Sequence, residues 1–244
     1  MGGFFHMDLS AFPHWGRAAQ KELFSQAGVW YTVPEGGISL DLHAIAQYYR
    51  RHTATLQDAR GEYAVLIPLL KTDNGLHLLY EVRATSLHHH RGEVCFPGGR
   101  MEPGEASAAC ALRETWEELG IAPQQVQLFG EADYLHLRSE GIMHPVVGLL
   151  PSISRRDLVL NPQEVRDVFT VSLSWLRQHP PQVYRYALRP DVDSDFPYAA
   201  VQTPADYTWA PGVMEVPVYR GLPYPLWGLT ARITMHFIQT IQAL

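Results

Sequence analysis

Between Gly99 and Ile121 the chain reads GRMEPGEASAACALRETWEELGI, with Glu114, Glu117 and Glu118 crowded into five consecutive residues. Carboxylates at that density repel one another, and an ordinary solvated helix face would alternate the signs of its charges. The crowding points to a bound cation. Carboxylate oxygens are hard ligands, and a small set of them facing phosphate is the usual way to hold Mg²⁺ or Mn²⁺. Zinc is disfavoured, because no Cys or His pair stands nearby at ligand spacing.

A helix is the element that must present these groups. At about 100° per residue, Glu114, Glu117 and Glu118 fall within one arc. Ala108, Leu112, Thr115, Trp116 and Leu119 follow the spacing of a buried stripe, expected roughly opposite the glutamates. Gly104 and Glu105 suit the start of the helix, and Gly120 suits the left-handed position that ends it. Arg113 precedes Glu117 by four residues, the spacing at which charged side chains on a helix meet.

Gly99, Glu105, Arg113-Glu114 and Thr115-Trp116-Glu117-Glu118-Leu119-Gly120-Ile121 together resemble the Nudix box. All of its fixed residues are present, a coincidence expected by chance in about one chain in a million. The departure is Thr115, where that family prefers an aliphatic residue. Upstream, the segment from Arg83 to Gly99 resembles the signature of the coenzyme A diphosphatase branch: Arg83, Ala84, Gly92 and Phe96-Pro97-Gly98-Gly99 match it. His88 stands where the branch has arginine, and Glu81 where it commonly has threonine. An arginine is always charged and a histidine near neutral pH is not, so the phosphate contact at 88 is altered.

Further along, Ala64 to Pro68 resembles the family's opening strand and Pro145 to Gly148 a central one. Asn161-Pro162-Gln163-Glu164-Val165 resembles the segment with a further functional glutamate, and Trp227 to Arg232 the start of the last helix. The resemblance covers residues 62–240. It implies an α/β fold, a Nudix-type α/β/α sandwich with a mixed β-sheet.

Glu114 and Glu118, one helical turn apart, are the leading metal ligands, followed by Glu117, and in the family the Gly99 carbonyl completes the set. Glu117, Glu164 and Arg113 are the expected catalytic group, with Glu164 as base or as ligand of a second ion. Glu105 and Gly98 support the helix start and the loop. His88 or His90 is expected on phosphate with His89 solvated, since neighbours in an extended segment point to opposite faces. Arg83 either binds substrate phosphate or holds a carboxylate. The cofactor implied is Mg²⁺ or Mn²⁺. The substrate implied is a small CoA-like nucleotide, cleaved to 3′,5′-ADP and 4′-phosphopantetheine, and a homodimer is compatible with this reading. The alternatives are another nucleoside diphosphate derivative (ADP-ribose, a dinucleotide, a nucleotide sugar) or a binding module that has lost turnover.

Composition fits such an enzyme. With 244 residues and 46% hydrophobic content, one domain can bury a full core. The net charge of −6 and the lack of a basic stripe argue against a nucleic-acid surface. The apolar run from Tyr63 to Leu70 is far below the roughly 18 residues needed to span a bilayer, so no membrane partner is expected. No secretory leader is read. Cys95 and Cys110 fit small core positions in a reducing, cytoplasmic setting rather than a disulfide, and Gln242-Ala243-Leu244 is not a peroxisomal address. Residues 1–7 read as an expression scar, 8–60 as an N-terminal extension packing on the core, and 61–244 as the hydrolase domain.

Helices are expected over Asp41 to Arg51, Ser172 to Gln178 and Leu229 to Ile241. Strands are expected at Tyr63 to Leu70 and Leu76 to Arg83 around a Thr72-Asp73-Asn74-Gly75 turn. Others are expected at Glu93 to Phe96, Val126 to Leu137, Ile142 to Leu150 and Val165 to Val171. Tyr184 to Pro211 reads as irregular, and Trp227 and Phe237 as core residues.

Overall fold

The computed structural model describes residues 42–57, 60–138, 141–151 and 153–242. The expectations for residues 1–41 lie outside these. The chain divides into two units, Met1–Ala54 and Thr55–Leu244. In the first, the expected helix is present as α1 (Leu42–Arg51).

The second unit is organised by strand β1 (Gly61–Thr72), whose residues 64–70 are all buried. A continuous apolar run is what a strand covered on both faces requires. The hairpin turn leads into β2 (Gly75–Arg83), and the two strands pair antiparallel only from Leu69↔Leu78 to Thr72↔Gly75. Beyond Leu69 they diverge. The wedge between them is filled by β3 (Val94–Cys95), which pairs with Glu81 and Val82, and by β4 (Gly98–Arg100), which pairs with Tyr63, Ala64 and Val65. The Leu66 N–H donates to the Pro97 carbonyl at 2.8 Å, closing the wedge at its apex. This split holds the Phe96–Gly99 loop over the middle of the sheet.

Helix α2 (Ser107–Leu119) follows. The region expected as one strand over Val126 to Leu137 is two, β5 (Gln127–Glu131) and β6 (Leu135–Leu137), both antiparallel to β7 (Gly141–Leu149). β7 runs parallel to β1, so the eight-stranded sheet is mixed. β8 (Val165–Ser172) flanks β2, and Ser172 caps the short helix α3 (Leu173–Gln178) by accepting from the Trp175 N–H at 3.1 Å.

A second, three-stranded sheet comprises β9 (Gln182–Leu188), β10 (Gly212–Tyr219) and β11 (Leu226–Trp227). It corrects the expectation of irregular chain from Tyr184: that residue pairs with Val216 inside a strand, and the excursion between β9 and β10 spans 189–211. The residues of β9 are nearly all exposed, so no burial period marks them in the sequence. The last helix is α4 (Gly228–Gln242).

Two cores lie on opposite faces of the large sheet. Ala64, Leu66, Leu79 and Val146 pack with Cys110, Ala111 and Leu119 of α2. Val65, Ile67, Leu78 and Tyr80 pack with Ala231, Ile233, Phe237 and Ile238 of α4. The architecture is an α/β/α sandwich, as expected. Among the described residues no helix is long and apolar enough to cross a membrane.

Candidate active site

Helix α2 carries the acidic cluster, but its facing differs from the expectation. Its buried residues are Ser107, Cys110, Ala111, Thr115, Glu118 and Leu119, whereas Trp116 is 55% exposed. Stepping about 100° per residue, Glu118 falls in the middle of the buried arc, with Glu114 beside it, rather than opposite. The glycine loop makes this possible: a Cβ on Gly99 would overlap the Glu114 carboxyl. Small residues at the tip of the β3–β4 wedge leave the space that the carboxylates occupy. The helix ends as expected at Gly120, with a φ of 73° and its N–H donating to the Trp116 carbonyl.

Glu118 is 3% exposed and its Oε2 accepts from the Gly98 N–H at 2.9 Å. Burial pushes its pKa up to about 8; the Gly98 bond and Arg83 oppose the rise, and Glu114 and Glu164 add to it. Glu114 is raised as well, chiefly by desolvation, although the neighbouring Arg113 guanidinium lowers it. The Gly99 carbonyl lies against the Cys110 thiol at 3.7 Å.

Arg113 reaches further than its spacing to Glu117 implied. Its guanidinium donates to Glu105 at 2.9 and 3.0 Å, to Glu114 at 2.8 Å and to Glu117 at 3.2 Å. It therefore ties the turn before the helix to the acidic face. Glu105 also accepts from the Glu102 N–H, and the Arg113 bond above all holds its carboxyl down at about 2.

Glu164 arrives from a loop stitched to the end of α2. The Asn161 N–H donates to the Glu118 carbonyl, Val159 N–H to the Leu119 carbonyl, and the Glu164 carbonyl accepts from Ala84 N–H at 2.7 Å. These bonds hold the Glu164 segment between the end of α2 and the end of β2.

The result is a cavity of about 620 Å³. Of the expected site residues, Arg83, His90, Gly98, Gly99, Glu114, Glu118 and Glu164 line it. Glu117, Arg113, Glu105 and His88 are not in its wall. The segment from Thr85 to Gly92 is a succession of turns and bends instead of an extended strand, so the alternation expected for the three histidines does not apply. His90 adopts a left-handed φ of 55° and bonds Glu93 at 3.1 Å.

Trp227 and Glu81 also depart from the expectation. Trp227 is 46% exposed and lines the cavity instead of joining the core, while Phe237 is buried as expected. Glu81 is 1% exposed and faces Glu118, Glu164 and Arg83. A glutamate within the apolar run from Leu78 to Val82 was the signal available for it.

The donors around the acidic side of the cavity are carboxylate and carbonyl oxygens, a set that suits a hard divalent cation. Among the described residues no group of three or more His, Cys, Asp or Glu side chains is placed to hold a metal ion by itself. Mg²⁺ is commonly held through one or two carboxylates together with waters and substrate phosphates.

Comparison with known proteins agrees with this geometry. The NUDIX domain matches residues 61–188. Mitochondrial coenzyme A diphosphatase NUDT8 of Mus musculus is 31% identical over 204 residues, covering 83% of this chain and 88% of that protein. Nudix hydrolase 3 of Caenorhabditis elegans is 41% identical over 122 residues, 49% of this chain and 50% of the relative. Peroxisomal coenzyme A diphosphatase NUDT7 of Mus musculus is 37% identical over 125 residues, 51% of each. The chain thus spans about half the length of two of these relatives and most of the third. With the box helix, the glycine loop and the Glu164 loop assembled on one α/β/α sandwich, the chain belongs to the Nudix hydrolase family and is an enzyme of that family.

Proposed function

We propose that the chain hydrolyses the diphosphate linkage of coenzyme A or an acyl-CoA, releasing 3′,5′-ADP and a 4′-phosphopantetheine, with Mg²⁺ or Mn²⁺ as cofactor. The observation that carries this is the cavity itself. Its wall combines Glu114, Glu118, Glu164 and Arg83 with Tyr63, Met143, Trp227 and Leu229. A substrate with a polyanionic centre and a long, less polar arm suits such a mixed wall. Two of the relatives carry coenzyme A diphosphatase in their names, which supports the choice among nucleotides.

Glu114, Glu118 and the Gly99 carbonyl would hold the cation. Bound there, it supplies charge neutralisation for the diphosphate and a water of lowered pKa. The protein's own groups do the rest. Arg83 offers a fixed positive charge to a phosphate oxygen. Glu164, in the cavity wall, takes the proton from the attacking water. Arg113 keeps Glu114 in place through the bond at 2.8 Å, and Glu117 shares that network from outside the cavity.

A hydrolysis screen over CoA, acyl-CoA, ADP-ribose and dinucleotides with either ion, products separated by chromatography, tests the proposal. CoA and acyl-CoA should be the best substrates. An inert CoA beside rapid turnover of another nucleotide would remove the narrow assignment.

A further inference from the structure

Leu226 and Trp227 are neighbours on β11, so their side chains leave the strand on opposite sides. Leu226 takes the core side and is fully buried with Tyr219, its partner in register on β10. The Trp227 indole is thereby turned away from that core and stands half-exposed in the cavity wall. Its backbone is fixed on both sides. Trp227 pairs with Val218 of β10, and three residues on, the buried Thr230 hydroxyl donates to the Val94 carbonyl at 2.9 Å. The carbonyl of Glu93, next to Val94, accepts from the Arg83 N–H at 3.0 Å. The edge at Glu93–Val94 thus joins the segment that carries the indole to Arg83, whose Nε is buried without a hydrogen-bond partner among the described residues. Trp175 stacks on His179, and Trp209 packs edge-on with Phe196 and Tyr207. The Trp227 indole meets no other ring among the described residues.

We infer that Trp227 is a specificity-determining residue, the platform on which the adenine ring of the substrate stacks while Arg83 holds a phosphate of the same nucleotide. The inference rests on reading the cavity as a nucleotide site and assigns the end of it that takes the base. A flexible arm gains as much from Leu229, Met143 or Ile233, which also line the wall, as from an indole. A flat face held in place before the ligand arrives favours a flat, rigid ring. Stacking of a base on an aromatic side chain is worth about 5- to 150-fold in affinity.

The test is equilibrium dialysis of the full chain against 5′-AMP, UMP and inorganic pyrophosphate in the presence of Mg²⁺, comparing native protein with Trp227→Leu and Trp227→Phe. Native protein should prefer AMP to UMP, because the purine offers the larger stacking face. Trp227→Leu should bind AMP at least about fivefold more weakly and lose that preference. Its affinity for pyrophosphate, which has no base, should stay within about twofold of native, and Trp227→Phe should recover AMP binding to within about threefold. Circular dichroism checks folding, and should Trp227→Leu not fold, Trp227→Met carries the same measurement. A loss of AMP affinity below about fivefold in a folded non-aromatic variant, or an equal loss for pyrophosphate, overturns the inference. Unchanged AMP binding beside rapid turnover of CoA removes the stacking role alone. An inert CoA beside Trp227-dependent AMP binding removes the coenzyme A reading and leaves the platform.

Discussion

Glu118 joins two opposed demands: it is packed like a core residue and placed to act as a ligand. Replacing it with glutamine keeps the shape and removes the charge. The expected result is a folded enzyme whose metal-dependent rate falls at least about 100-fold, read from steady-state kinetics with circular dichroism as the folding check. Near-native turnover would mean the ion sits elsewhere. A second outcome concerns pH. The folded protein raises this carboxyl from 4.5 to about 8, first through burial. Between those values the folded state holds a proton that the unfolded chain has released. Its stabilising contribution is complete below the unfolded value and is lost as pH rises through the folded one. In chelator, the melting temperature of native protein should therefore fall more steeply over that window than that of Glu118→Gln. Over the same window Mn²⁺ affinity should rise, since the ligand must be deprotonated. Calorimetry and metal titration at several pH values check both slopes.

At the scale of elements, α2 shows what spacing reveals and what it conceals. Its helical character, its stop at Gly120 and the Arg113–Glu117 contact are all local, and the sequence conveys them. The rotation of the helix on the sheet is not local. Apolar type nominated Trp116 for the core, yet the space beneath Gly99 draws Glu114 and Glu118 inward and turns Trp116 outward. Strand β9 was hidden for a related reason, because a strand exposed on both faces has no alternation to read. Two outcomes belong here. Gly120→Ala should destabilise by about 1–3 kcal/mol, since φ is 73° and a Cβ would stand 2.8 Å from Val159; the urea midpoint should drop with the slope unchanged. Arg113→Lys cannot span Glu105, Glu114 and Glu117 at once, because an ammonium lacks the planar fork. Its turnover number should fall about tenfold, with the melting temperature nearly unchanged.

At the scale of the whole molecule, the sheet is a partition with a helix on each side. The α2 side holds the acidic groups, and α4 supplies Phe237 and Ile238 to the other core. Phe237→Ala should cost about 3–5 kcal/mol, measured by denaturant unfolding, because the opposite layer cannot collapse into the void. Ion binding should stabilise the entire fold: at a hundredfold excess over its dissociation constant, Mn²⁺ should add about 2.7 kcal/mol. That gain should appear as a shift in melting temperature in native protein and be absent from Glu118→Gln.

The linear order of residues by itself determined the reaction family, the hairpin and the box helix, because each depends on neighbours a few positions apart. It also supplied Glu164, through a short motif upstream of β8. Only the tertiary structure decided which carboxylates share a cavity, that Glu117 stays outside it, that Trp227 lines it, and that Glu81 is buried. Those outcomes depend on how β1 and β2 splay and what fills the gap, and non-local strand pairing sets both.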